Sequence, residues 1–467
     1  MNPFTLKELR QLTRSKTIAG TLIGVLAFAL LLAYFIPVGK ISYNTGHTLF
    51  IAITVVLGIM TILVLPVNVF VRMMKERGGK RAADLTLATT LSPASIIDGK
   101  LRGAFALIGL SLAAELPFAA FAYLLHGISL AEMAEILLSV GLIAALAVHF
   151  ALVVASLRLS PAFRWVIFVA ALFFGSSPIL TGVGVFTLGH AGSSEPFTRG
   201  FFIFVAIVIS VCLLARAFAI STLTPRPREH DLQLRLTTLF LVVAWGVYVL
   251  TWWHEPITDA VSALKAWMSL SITVFIALAI AASAQPGGYS RRQLASYRAM
   301  PTWRRVLFWP FMSGAKNGLV FSILGALALS LVLPLLEDKI NARYVAEKVL
   351  LLRGCDPQAI RTEEYVYAVL VFVLYNSSIL LCFRALWRVC VRRWTNLSPV
   401  LVIALSLITI AFLQTLPALL GVDGATVPFS YSELKDANVF AVHLQWSVGA
   451  FVLALAVNLP ALFRHER

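Results

Sequence analysis

Few residues in this 467-residue chain combine a reactive side chain with the surroundings that chemistry requires. The outstanding candidate is Glu115, which lies about halfway along a long apolar segment and two residues before Pro117. A carboxyl group at membrane depth is costly, so by default it marks a functional site such as a proton carrier. The competing interpretation is a protonated, structural carboxyl that bonds to a backbone carbonyl released by Pro117. We expect the structural role.

Motifs of soluble enzymes are missing from the sequence. It contains no G-x-x-x-x-G-K-[ST] phosphate loop, no H-E-x-x-H and no G-x-S-x-G. The four cysteines, Cys212, Cys355, Cys382 and Cys390, form no C-x-x-C pair, so we predict neither a zinc site nor a disulfide framework. We therefore expect no enzymatic activity, no metal and no cofactor in this chain. If ATP drives the protein, a separate subunit must supply the ATPase.

The composition is that of a polytopic membrane protein. Hydrophobic residues make up 59% of the chain and charged residues 13%, whereas ordinary domains have about 45–50% and about 25%. Apolar runs long enough to span a bilayer recur along the whole length. We predict an all-α fold with about twelve transmembrane helices at 17–38, 48–71, 103–125, 134–157, 163–188, 201–222, 235–253, 266–284, 318–336, 365–383, 399–420 and 440–463.

The net charge of +16 follows the predicted topology. Lys and Arg cluster in alternate loops beside the apolar runs, which the positive-inside rule and anionic lipids explain without a nucleic-acid partner. Both termini and the loops around Lys80 and Arg298 are therefore predicted to be cytoplasmic. Asn44, Cys355 and Ser432 are predicted to be external.

The N-terminus predicts an amphipathic helix that ends near Lys16. Its leucines share one side, and Lys7, Arg10 and Arg14 take the other. This pattern is typical of an interfacial helix on the inner leaflet of the lipid bilayer.

The basic loop 72–102 predicts a short surface helix over Ala82–Leu91. Ser92 is a favoured N-cap, and Pro93 suits the first helical position because its missing N–H would have no intrahelical partner there. A new helix should therefore begin at Pro93 and run on into the membrane.

This loop also carries a resemblance to a known family. Asp84-Leu85-Thr86-Leu87-Ala88-Thr89-Thr90-Leu91-Ser92-Pro93, followed by Ile96-Ile97-Asp98-Gly99-Lys100-Leu101, resembles the loop after the second membrane helix of ABC-2 type (type V) transporter permeases. Glu76 matches the family's leading acid, whereas Gly78–Arg81 resembles a small insertion and Thr90 replaces the usual Pro. The match covers about the first hundred residues and continues more weakly to about residue 220.

The resemblance implies a permease subunit, an exporter in the inner membrane, with ATP and Mg bound by a partner ABC ATPase. The ATPase would dock on the coupling helix, with the implied docking residues Asp84, Leu85, Leu87, Leu91, Ser92 and Pro93. Residues 1–222 would form a six-helix permease domain, and 223–467 a second one, either a degenerate repeat or an accessory extension. Either one copy supplies both membrane halves, or two copies pair as a homodimer. In the family, the stretch after Gly175–Pro178 would dip back into the membrane from outside.

Two other functions fit the same sequence. One is a secondary transporter driven by protons through Glu115 and His149, and the other is a non-transporting assembly scaffold. The remaining intramembrane polar residues favour hydrogen bonds between helices over ligand binding; they are His149, Asn68, Asn376, Gln414 and Asn458.

Overall fold

The computed structural model describes slightly more than half of the chain. These residues are 10–11, 15–38, 45–78, 92–157, 160–170, 199–224, 231–251, 257–283, 295, 297–312, 314–332, 335–336, 339–340, 342, 373–374, 376–377, 380–381, 447–449 and 451–456. They are almost entirely helical, and no strand occurs among them. The prediction of an all-α chain is confirmed for this part of the sequence.

Eleven helices are named here in chain order. They are α1 (Lys16–Val38), α2 (Thr45–Ile59), α3 (Leu65–Gly78), α4 (Pro93–Leu124), α5 (Leu130–Ser156), α6 (Pro161–Ala170), α7 (Arg199–Leu223), α8 (Leu232–Thr251), α9 (Ile257–Ser283), α10 (Thr302–Phe308) and α11 (Ala315–Ser330).

Among the described residues, seven helical stretches are long and apolar enough to cross a membrane, as expected of a multi-pass membrane protein. They are Lys16–Phe35, Thr45–Glu76, Pro93–Leu124, Leu130–Ser156, Arg199–Leu223, Leu232–Thr251 and Ala260–Ala282. Each overlaps one of the twelve predicted segments. The other five segments lie partly or wholly outside the described residues, or correspond to shorter apolar helices such as α6 and Asn317–Ser330. Twelve spans and two cytoplasmic termini remain predictions.

The second span is longer than predicted because α2 and α3 form one continuous helix. They are joined by a π-helical turn, Met60–Val64, in which the Leu65 N–H donates to the Met60 carbonyl. Pro66 explains the turn, since it has no N–H and its ring clashes with the carbonyl four residues earlier in a regular α-helix. Asn68 Nδ2 donates to the Val64 carbonyl at 2.8 Å, a bond within the same helix.

Helix α4 begins where the sequence predicts. The Ser92 hydroxyl accepts a hydrogen bond from the Ser95 N–H at 3.2 Å, and Pro93 occupies the first turn. Helix α5 begins with a capping box, in which Ser129 and Glu132 each bond to the other's backbone N–H. Local capping thus fixes the starts of two spanning helices.

The chain divides into two compact units, Met1–Thr224 and Pro225–Arg467. This division lies two residues from the sequence-based boundary at 222/223. Whether each unit is a complete membrane domain stays a prediction.

The core of the first unit is aliphatic with one aromatic cluster. Phe70 of α3 stacks on Phe168 of α6 with ring centroids 4.2 Å apart, and Trp165 meets Phe70 edge-on.

At the start of the second span, Gly46 of α2 lies against the end of α4. A Cβ at this position would be 2.1 Å from the His126 carbonyl oxygen. Only a glycine permits this approach of the two helices.

The described part of the second unit is organised around a buried arginine. Arg235 of α8 is 4% exposed and pairs with Asp231 at 3.1 Å. It also donates to the carbonyl oxygens of Pro310, at 2.8 Å, and Met312. Arg235 lies in the first turn of α8. Its role is to hold the turn before α11, since the carbonyls there have no helical partners.

Candidate functional site

The candidate site is the end of the first unit where α3 stops and α4 begins. Glu76 lies two residues before the end of α3, and Lys100 lies two turns into α4. Their side chains form a salt bridge of 2.8 Å in which Lys100 is 4% exposed and Glu76 38%. The ion pair therefore joins the two spanning helices at the base of the loop 79–91.

Lys100 belongs to the basic loop 72–102, whose cations the positive-inside rule would place at the membrane surface. The structure instead buries it against α3, where the Glu76 carboxylate compensates its charge. A buried lysine needs such a partner because desolvation of an unpaired ammonium costs several kcal/mol.

Arg72 of α3 connects this region to the N-terminal segment. Arg72 Nη2 donates to the Gln11 carbonyl at 2.7 Å. Arg10 and Gln11 of the predicted interfacial helix are helical and exposed, whereas Ser15 is not helical and Lys16 begins α1. Lys7 and Arg14 lie outside the described residues. The contact places residue 11 beside the base of α3, as an interfacial helix at the same membrane surface would be.

The predicted docking residues fall into two groups. Asp84, Leu85, Leu87 and Leu91 lie outside the described residues, so the coupling helix over Ala82–Leu91 stays a prediction. Ser92 and Pro93 are described, and they form the cap of α4. The re-entrant segment after Gly175–Pro178 also lies outside the described residues.

Next to the base of α4 lies a second ion pair that the sequence analysis missed. The Asp98 carboxylate accepts from Arg216 Nε at 2.6 Å and from Arg216 Nη2 at 2.8 Å. This bidentate geometry is the strongest form of an arginine–carboxylate contact. No local pattern links two residues that are 118 positions apart, so only the fold reveals the pair.

A cavity of about 460 Å³ opens beside this ion pair, between α4, α5 and α7. One end carries the charged groups of Asp98, Arg102 and Arg216, and the rest is lined mainly by apolar side chains. His149 of α5 also lines it, with its ring centroid 5.7 Å from that of Phe105.

Glu115 is deeply buried between α2 and α4. It is 1% exposed, and its Oε1 accepts a hydrogen bond from the Thr54 hydroxyl. Among the described residues, its Oε2 has no hydrogen-bond partner. The predicted bond to a backbone carbonyl near Pro117 is therefore replaced by one to a neighbouring helix. Thr54, on a different helix, gave no signal in the sequence.

Two of the predicted interhelical polar residues bond within their own helices instead. His149 Nδ1 lies 2.8 Å from the Ala145 carbonyl, and Asn68 bonds to Val64. Both reach the carbonyl four residues earlier, a common competitor for side-chain donors in helices. Asn376 is buried, while Gln414 and Asn458 lie outside the described residues.

Within the described part of the chain, no three His, Cys, Asp or Glu side chains are grouped as a metal site requires. The polar groups near α4 are instead paired across helices, an arrangement that can transmit force between them.

Comparison of the chain with known protein families, characterised proteins and solved structures finds no match in any of the three. The resemblance to ABC-2 permeases therefore remains a prediction from the loop residues.

Proposed function

We propose that the chain is the membrane-spanning subunit of an ATP-driven exporter of the ABC-2 class, embedded in the inner membrane. A separate ATPase subunit would bind ATP and Mg and hydrolyse the nucleotide. The observation that carries the proposal is the Glu76–Lys100 ion pair. It joins the two spanning helices on either side of the loop whose residues resemble the family's coupling loop.

The ion pair suits a loop that acts as a lever. Lys100 is buried, so separating it from Glu76 would remove the carboxylate partner of a desolvated charge, a change that costs about 3–5 kcal/mol when both partners are buried. Glu76 is partly exposed, which lowers that cost. The loop 79–91 would then shift α3 and α4 together when a partner pushes on it.

The start of α4 supports the same role. Ser92 and Pro93 fix the first turn of the helix, so movement of residue 91 is passed on without fraying of the helix end. The predicted helix Ala82–Leu91 is too short to be stable alone, because isolated helices below about 12 residues are marginal in water. Docking of its leucines in a groove of an ATPase would supply the missing stability.

The test is isolation of the full chain, with a tag at one terminus, from its native membranes in mild detergent. We expect a stoichiometric partner whose sequence contains G-x-x-x-x-G-K-[ST], and ATP hydrolysis by the complex. A preparation from the same membranes that lacks the tagged chain is the control. A homogeneous, folded chain that brings no such subunit would contradict the proposal.

The burial of Glu115 favours a second candidate function, that of a proton-coupled transporter. Its carboxyl group is buried at membrane depth and one of its oxygens has no partner among the described residues. In that case transport should survive ATP depletion as long as a proton gradient is maintained. Transport that stops on ATP depletion under a maintained gradient excludes this candidate and agrees with the first.

A further inference from the structure

The cavity between α4, α5 and α7 has two chemically different ends. Asp98, Arg102 and Arg216 lie at the end nearer Ser92. One helical turn deeper, about 5.4 Å along each axis, the lining becomes apolar at Phe105 and Cys212. At about 460 Å³, the volume falls within the range of about 300–1,000 Å³ that is typical of ligand pockets.

The charged end offers hydrogen-bond donors. Both oxygens of Asp98 are engaged by Arg216 Nε and Nη2, which leaves Arg216 Nη1 outside that pair. Arg102 is exposed and makes no ion pair with any residue in the described ranges. The three charges sum to +1, so the end of the cavity suits a singly charged anion and disfavours a cation.

The apolar part continues for about two turns of α7. Its side chains are contributed by all three helices and several of them are exposed, so the cavity is accessible from the lipid phase. The apolar lining includes Phe105 of α4, Leu142 and Ala145 of α5, and Ile209 and Cys212 of α7. An occupant therefore needs an anionic group at one end and a hydrocarbon chain at the other.

We propose that this cavity binds an anionic phospholipid from the leaflet on the side of Ser92. The phosphodiester contacts Arg102 and the free edge of Arg216, and one acyl chain lies along Phe105 and Cys212. Basic pockets between membrane helices select anionic lipids in this way. Because the lipid bridges α4, α5 and α7, it stabilises the helices next to the loop 79–91. The proposal goes beyond the transport function and needs no ATPase.

The experiment is native mass spectrometry of the full chain taken from nanodiscs that contain equal amounts of phosphatidylglycerol and phosphatidylcholine. We expect one retained lipid with a strong preference for phosphatidylglycerol. Arg102→Gln should lower that preference about fivefold, the factor equivalent to about 1 kcal/mol for one arginine near an anionic lipid. The exposed Arg304, in the second unit, supplies the matched control Arg304→Gln, which should leave the preference unchanged.

A second pair of variants tests the apolar part. Ala145→Phe fills the cavity and should abolish retention of either lipid, whereas Ala106→Phe, at an exposed position of α4 outside the cavity, should not. If Ala145→Phe fails to fold, the Arg102 comparison decides alone, since that side chain is exposed. Equal retention of the two lipids by the unmodified chain overturns the proposal, as does a preference that Arg102→Gln leaves intact. Displacement of the lipid by inorganic phosphate alone would also overturn it, because the site would then need no acyl chain.

Discussion

At the scale of single residues, Glu115 illustrates how a costly group is accommodated inside a helix bundle. Its Oε1 accepts from the Thr54 hydroxyl, so the carboxyl group connects α2 and α4. A neutral carboxyl fits this position because an ionised one would have to be compensated by more than one hydroxyl. Whether Glu115 has a structural or a functional role stays a prediction.

The first prediction concerns the Thr54–Glu115 hydrogen bond. Glu115→Gln keeps an oxygen acceptor for Thr54, so it should change the free energy of unfolding little and leave transport intact. Glu115→Ala and Thr54→Val each remove the bond and should lower stability by about 1 kcal/mol, the scale of interhelical hydrogen bonds. Unfolding in mixed micelles measures these differences. A folded Glu115→Gln protein that no longer transports would show that the carboxyl group has a functional role.

The second prediction uses the asymmetric exposure of the Glu76–Lys100 ion pair. Glu76→Gln removes the carboxylate partner of a buried Lys100, whereas Lys100→Met leaves Glu76 in contact with water. We expect Glu76→Gln to cost about 2 kcal/mol, less than the 3–5 kcal/mol of fully buried pairs, and Lys100→Met to cost less than Glu76→Gln. Thermal unfolding of the two variants compares them. Equal costs, or the reverse order, would contradict the burial of Lys100.

At the scale of helices, local signals were readable from the sequence and long-range pairings were not. The start of α4 was predicted correctly because Ser92 and Pro93 determine it within one turn. Apolar length likewise indicated the seven spanning helices that the structure describes. The Asp98–Arg216 and Glu76–Lys100 pairs were missed because each depends on which helices pack together, and a basic loop residue looks the same in sequence whether buried or exposed.

The third prediction tests the approach of α2 to the end of α4. Gly46→Ala places a Cβ about 2 Å from the His126 carbonyl oxygen, so the two helices must move apart. Overpacking of this kind typically costs about 1–3 kcal/mol. Gly20→Ala is the matched control, since no atom lies within 4 Å of a Cβ at that position of α1. A Gly46→Ala protein as stable as the Gly20→Ala protein would argue against this contact.

At the scale of the whole molecule, the seven described spans agree with a multi-pass protein, and the orientation rests on the distribution of Lys and Arg. The fourth prediction follows from that distribution. Single cysteines at Lys80 and Arg298 should resist an impermeant thiol reagent in intact cells, and those at Asn44 and Ser432 should react. After the membrane is permeabilised, all four cysteines should react. This control shows that a site protected in intact cells is reactive when the reagent can reach it. Reaction at residue 80 or 298 in intact cells would contradict the predicted orientation.

The central claim is that the loop 79–91 couples this chain to a separate ATPase. The most direct measurement is ATP turnover and co-purification of the complex with variants at Leu87. A charge in an apolar groove would be poorly solvated, so Leu87→Glu should abolish both binding and turnover, whereas Leu87→Met should preserve them because it keeps the volume and the apolar character. Both proteins should insert and fold alike, because the proposed contact of Leu87 is with the partner subunit and not with the membrane helices. A Leu87→Glu protein that still binds the ATPase with unchanged affinity and turnover would contradict the claim.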